Sequence, residues 1–159
     1  MIKLKTFGSF TVGNGLTSVQ EGAWRSEKLE KLFVYLAMNR NRGVCIEDIS
    51  EAIWQVEEET DNPVGALKNL AYRLRKALRD ASFGEECIVS VRGGLYKWND
   101  DVEVTIDVEE FDRYINEAEM AFCRSKETAI ESYEKAIALY HGDFLPLRTD
   151  THWFMTLNA

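Results

Sequence analysis

The sequence predicts an α+β chain in which an N-terminal β-sheet, three helices and a C-terminal β-hairpin are followed by an all-α helical segment. Three observations carry this expectation. Residues 63–79 place apolar side chains at helical spacing on one side and five cations (Lys68, Arg73, Arg75, Lys76, Arg79) on the other. Short alternating runs with glycine punctuation flank the helical part on both sides, as half-buried strands do. At Asn99–Asp101 the composition shifts, and two further helical patterns follow.

Taken in order, Ile2, Leu4, Phe7, Phe10 and Val12 alternate loosely, with Gly8, Gly13 and Gly15 as turn signals, so short strands are expected, with another within 16–24. Ser26 is a candidate N-cap for a helix whose stripe is Leu29, Leu32, Phe33, Leu36 and Ala37 and which ends near Asn39. A second helix is expected from about Ile46 to Trp54, with Ile46, Ile49, Ile53 and Trp54 inward. An acidic loop, Glu57 to Asp61, precedes the basic helix. Asn62 can cap that helix and Pro63 suits its first position. Leu67, Leu70, Ala71, Leu74, Ala77 and Leu78 form its buried stripe. Ile88, Val89 and Val91, the turn Arg92-Gly93-Gly94 and the return Leu95-Tyr96-Lys97-Trp98 read as a hairpin. Strands, three helices and a hairpin in this order make a winged helix-turn-helix.

Beyond the linker, Asp107 and Glu110 stand at capping-box spacing ahead of Phe111, Tyr114, Ile115, Ala118 and Phe122. Ser125 to Tyr140 carries Ala129, Ile130, Tyr133, Ala136, Ile137 and Tyr140, with Gly142 as a stop. Small and aromatic residues alternating across a helix pair give a TPR-like segment. One such pair cannot bury its apolar faces alone. It must pack on the winged helix, on another copy, or on further chain. Phe144, Leu145, Trp153, Phe154, Met155 and Leu157 look like the start of another apolar element, so truncation at Ala159 is expected.

The net charge of −8 argues against nucleic acid until its distribution is seen. Residues 1–100 hold 14 Lys+Arg and 14 Asp+Glu, whereas 101–159 hold 5 and 13, so the whole excess lies in the last third. Association depends on the local field at the contact surface, and a neutral first part with a basic helix keeps DNA open as a partner. No apolar run reaches the roughly 18 residues that a membrane span needs, and no signal peptide is evident. Cys45, Cys87 and Cys123 match neither a disulfide framework nor a metal-ligand spacing. A cytoplasmic protein with no membrane partner, metal or cofactor is expected. Enzymatic activity is not: His141 and His152 both lie in the acidic part, and no phosphate-loop, dinucleotide, zinc-protease or serine-hydrolase motif occurs.

The segments L-K-T-F-G-S-F-T-V (4–12), G-V-C-I-E-D-I-S-E-A-I-W (43–54), A-L-K-N-L-A-Y-R-L-R-K-A-L (66–78), V-S-V-R-G-G-L-Y-K-W (89–98), I-D-V-E-E-F (106–111) and A-I-A-L-Y-H-G-D-F-L-P (136–146) recur in a telling order. Together they resemble the OmpR/PhoB-type winged-helix domain joined to a bacterial transcriptional activation domain, the pair that defines SARP-type regulators. The resemblance covers nearly the whole chain and implies a DNA-binding domain at 1–99 and the N-terminal part of an activation domain at 102–159. It implies that Lys68, Asn69, Tyr72 and Arg73 face base edges and adjacent phosphates, that Arg75 and Lys76 clamp phosphates, that Ser90 lies near a phosphate, and that Arg92 enters the minor groove. It associates the acidic loop (Glu57, Glu58, Glu59, Asp61) with RNA polymerase, although that acidity also simply complements the next helix's positive end. Tyr72 stands where relatives often carry a cation, and Cys45 where serine commonly caps.

A sequence-specific double-stranded DNA-binding regulator, an activator, follows from this resemblance, with RNA polymerase and a second copy of the chain as further partners. The alternative is a protein–protein interaction module that uses the TPR-like helices, the winged helix serving as scaffold. Trp54 and Trp98 read as core aromatics in either case.

Overall fold

The computed structural model describes residues 1–54, 62–83 and 86–144. The elements, in chain order, are β1 (Ile2–Lys5), β2 (Thr11–Gly13), β3 (Ser18–Gln20), α1 (Glu27–Met38), α2 (Ile46–Ile53), α3 (Pro63–Asp80), β4 (Ile88–Val91), β5 (Leu95–Trp98), β6 (Val104–Ile106), α4 (Asp107–Ala121) and α5 (Lys126–Leu139). Glu57, Glu58, Glu59 and Asp61, and the apolar residues from Leu145 onward, lie outside the described residues.

The first sheet has the order β3-β2-β1-β6. β1 and β2 are antiparallel with Leu4 opposite Val12, and β2 and β3 with Val12 opposite Val19. The period-2 pattern explains the register: Ile2, Leu4, Val12 and Val19 all face the core. α1 is enclosed almost all round, and even Glu30 and Lys31 are buried. Glu30 accepts the Gly22 N–H at 2.8 Å. Phe10, Trp24, Phe33 and Trp98 meet in a chain of tilted and edge-to-face rings 5.3–6.3 Å apart, which joins sheet, α1 and hairpin into one core. Trp98 is a core aromatic, its indole N–H donating to the Val102 carbonyl at 2.8 Å, and Trp54 is half-buried against the core.

Cys45 stands at the N-cap of α2, and its side chain makes no capping bond. Ser26 and Ser125 do cap α1 and α5, accepting from Leu29 N and Thr128 N. β4 and β5 form the expected hairpin, with Val91 opposite Leu95 and Gly93 and Gly94 at φ 86° and 74° in the turn. Side-chain-bearing residues rarely adopt that conformation, so the two glycines make the three-residue turn possible. Val44 adds a short third edge to β5: its N–H donates to the Tyr96 carbonyl at 2.7 Å, and its carbonyl accepts the Tyr96 N–H at 3.0 Å.

Two features past residue 100 differ from the sequence expectation. β6, where only a linker leading to a helix was expected, pairs in parallel with β1, Ile2 opposite Val104 and Leu4 opposite Ile106. It leads directly into α4. Asp107 does not act in a capping box: the helix N-cap is Ile106, without a side-chain bond. The Asp107 carboxylate instead accepts from Thr6 N (2.9 Å to each oxygen), Thr6 Oγ1 (2.6 Å), Phe7 N (3.0 Å) and its neighbour Val108 N (2.9 Å). A buried carboxylate needs several donors, and the β1 end offers free N–H groups that a reciprocal cap cannot match.

α4 and α5 pack on one another through Ala118, Ala129, Ser132 and Ala136. Phe7 reaches from the sheet to Phe111 and Tyr140, with ring centroids 5.5 and 5.4 Å away. Gly8 N donates to the Asp143 carbonyl at 2.9 Å, and a Cβ on Gly8 would lie 2.6 Å from the His141 carbonyl oxygen. Arg40 forms a two-pronged bond to Glu109 (2.8 and 2.6 Å), which raises its pKa further. The helix pair is thus fastened to the first sheet and to the end of α1. Ile130 and Ile137, which fall within the sequence's apolar stripe, are solvent-exposed.

Candidate nucleic-acid interface

α3 owes its placement to its ends and its buried stripe. The Asn62 side chain accepts the Gly65 N–H at 3.0 Å, and Pro63 opens the first turn. Leu67, Leu70, Ala71, Leu74 and Leu78 are buried against the rest of the winged helix, with Ala77 half-buried. Burial of each leucine is worth about 1.5–3 kcal/mol, so the orientation of this helix about its own axis is firmly set.

The opposite face is solvent-facing. Lys68, Asn69, Tyr72, Arg73, Lys76 and Arg79 are all exposed, Tyr72 by 60%. Among the described residues, no side-chain hydrogen bond or ion pair engages Lys68, Asn69, Tyr72, Arg73 or Arg79. Lys76 pairs with Asp80 one turn on, at 3.0 Å, a surface contact worth a few tenths of a kcal/mol, about 0.3–0.5. None of these cations is tied to the acidic helices. The face is a positive surface braced from behind.

Arg92 is exposed at the tip of the hairpin. Arg75 and Ser90, both expected beside phosphate, are bonded to one another across the helix–hairpin junction. Arg75 Nε also donates to the Ile88 carbonyl at 3.2 Å and lies 3.5 Å from Glu86. The helix and hairpin therefore form one continuous surface with Lys68, Asn69, Tyr72, Arg73 and Lys76 on the helix and Arg92 on the wing. Sequence reasoning gave each of these positions, but not the Arg75–Ser90 bond: residues 15 apart on different elements share no periodic signal.

Cys45, Cys87 and Cys123 are unbridged, and among the described residues no three His, Cys, Asp or Glu side chains gather as a metal site. No helix among the described residues is long and apolar enough to cross a membrane.

Residues 21–98 match the family described as "Transcriptional regulatory protein, C terminal", a family of DNA-binding domains rather than enzymes. No curated protein sequence matches the chain. Its fold is similar to that of Mycobacterium tuberculosis EmbR, solved in complex with a low affinity phosphopeptide, at a TM-score of 0.78 and 19% identity over 98% of this chain. The chain spans 40% of the length of that EmbR chain. Residues 21–98 are therefore similar to the transcriptional regulatory protein C-terminal domains, and nearly the whole chain shares the fold of EmbR.

Proposed function

We propose that this chain is a regulator that reads double-stranded DNA sequence-specifically, with α3 in the major groove and the wing at Arg92 in the neighbouring minor groove, and that it acts as an activator. The observation that carries the reading is the outward face of α3, where Lys68, Asn69, Tyr72 and Arg73 are exposed and unengaged while the leucines behind them are buried. A helix of this kind fits the major groove, where an arginine can donate two hydrogen bonds to guanine and an asparagine can pair with adenine. Tyr72 offers a ring for a thymine methyl and a hydroxyl for phosphate. Lys76 stands on the helix shoulder, where phosphate contacts fix register without reading sequence. Arg75 and Ser90 lie where the helix meets the wing, beside the expected path of the backbone. Arg92, on a turn with little side-chain bulk, suits a narrow minor groove of strong negative potential.

The helix pair α4–α5, which we read as TPR-like, would supply contacts to a second copy or to RNA polymerase. The acidic loop Glu57, Glu58, Glu59 and Asp61 is a further candidate for the polymerase. A second reading, a protein-interaction module with the winged helix as scaffold, draws support from apolar side chains standing in solvent on the helix pair: Met120 at 77%, Ile137 at 70% and Ile130 at 56% exposed. Selection of bound fragments from a random duplex pool decides between the two. A recovered common motif supports DNA reading; fragments without any shared sequence argue for the interaction module.

A further inference from the structure

The wing is a two-stranded hairpin, and such hairpins are marginally stable by themselves. On its β5 side it is held by the Val44–Tyr96 pair of backbone hydrogen bonds. On its β4 side the described residues offer no strand partner, and one side chain takes that place. Arg75, on α3, directs the edge of its guanidinium along β4: Nε donates to the Ile88 carbonyl at 3.2 Å, Nη2 donates to Ser90 Oγ at 3.3 Å, and the Glu86 carboxylate lies 3.5 Å from Nε. The three acceptors fall at every second residue, the repeat of an extended strand. Only a quarter of the Arg75 side chain remains accessible, whereas Arg73 and Lys76 beside it are exposed. A flat fork with fixed donor directions can span two strand positions; an ammonium cannot.

We propose that Arg75 is a positioning residue, a bracket that sets the wing against the recognition helix and so places Arg92 relative to the major-groove contacts, rather than a ligand for DNA phosphate. The inference rests on the minor-groove reading of Arg92 given above. It makes the two halves of the interface interdependent: the angle between helix and wing is fixed in the free protein, so DNA does not have to order it.

Arg75→Lys, which keeps the charge, and Arg75→Gln, which removes it, separate the bracket from a phosphate contact. The bracket predicts that both variants speed amide hydrogen exchange of residues 88–98 in the free protein by about tenfold, the loss of a charge-assisted bond at a strand edge. Both then lower affinity alike, and neither changes the salt slope of binding. In the parent, Arg92→Ala weakens binding to A·T-flanked sites by about tenfold; in either Arg75 background that effect shrinks to about twofold, because the wing is already displaced. Unaltered exchange in the wing overturns the bracket. So does rescue by lysine together with a salt slope reduced by about 0.9 in Arg75→Gln, the signature of one lost phosphate contact. Arg92→Ala without effect in the parent overturns the minor-groove reading itself, an outcome distinct from either of these.

Discussion

Replacing Asp107 by asparagine tests how the helical segment is fastened to the winged helix. The carboxylate is buried, and its two oxygens receive only donors: Thr6 N, Thr6 Oγ1, Phe7 N and Val108 N, all within 3.0 Å. Asparagine has nearly the same shape but keeps one acceptor oxygen. If that oxygen stays with Thr6 and Val108, the new amide points its own hydrogens at the Phe7 N–H, which loses its partner in a buried setting. An orphaned buried donor costs about 1–3 kcal/mol, and the surviving bonds lose their charge assistance, roughly another 1 kcal/mol. The sum is a destabilisation of about 2–4 kcal/mol. For a chain of this size that corresponds to a melting temperature lower by roughly 5–15 °C. Urea unfolding followed in parallel by tryptophan fluorescence and far-ultraviolet circular dichroism measures it. An Asp107→Asn protein within about 0.5 kcal/mol of the parent, the range of an ordinary surface substitution, refutes the claim that this carboxylate joins α4 to the first sheet.

Three further outcomes are expected. Arg73→Ala costs about 1–3 kcal/mol on the selected site and relaxes base preference at one position, read by competition between cognate and altered duplexes; equal weakening on random DNA makes Arg73 a phosphate contact only. Arg92→Ala weakens sites with A·T-rich flanks more than sites with G·C-rich flanks, and indifference to the flanks removes the wing from the minor groove. Burial raises the Tyr35 pKa above its usual 10.0, against a smaller opposing effect of Arg42. The stability contributed by the neutral phenol is therefore complete below that usual value and is lost as pH rises through the higher value of the folded chain. Tyr35→Phe should flatten that alkaline decline, and an unchanged stability–pH curve would contradict it.

The basic helix and the hairpin were legible because their signals are local. Asn62-Pro63 marks a helix start, Leu67, Leu70, Leu74 and Leu78 repeat with the helical period, and Arg92-Gly93-Gly94 can turn where few other tripeptides can. Each strand of the N-terminal meander is followed by its partner within a few residues, so alternation sufficed there too. β6 escaped because three residues, Val104 to Ile106, carry too little pattern, and their partner β1 lies a hundred residues earlier. The same distance hid the role of Asp107, whose position before a helical run fits a capping box until the free N–H groups of Thr6 and Phe7 are seen beside it. On the interface, the identity of the outward residues follows from the helical wheel alone. What Arg75 touches does not, since a half-buried cation at the edge of that wheel is assigned by its neighbours on another element. The exposed Ile130 and Ile137 show the converse: a periodic apolar stripe says that a face wants cover, not what covers it.

The central claim is that the outward cations of α3 and the wing meet duplex DNA. It is tested most directly by the affinity of the intact chain for its selected site across a salt series from about 50 to 200 mM, beside the Lys68→Ala/Arg73→Ala/Lys76→Ala variant. With about four phosphates neutralised, log K should fall with a slope near −4 against log salt, and the variant should show both weaker binding and a shallower slope. Binding that is flat in salt and unchanged in the triple variant would contradict the account.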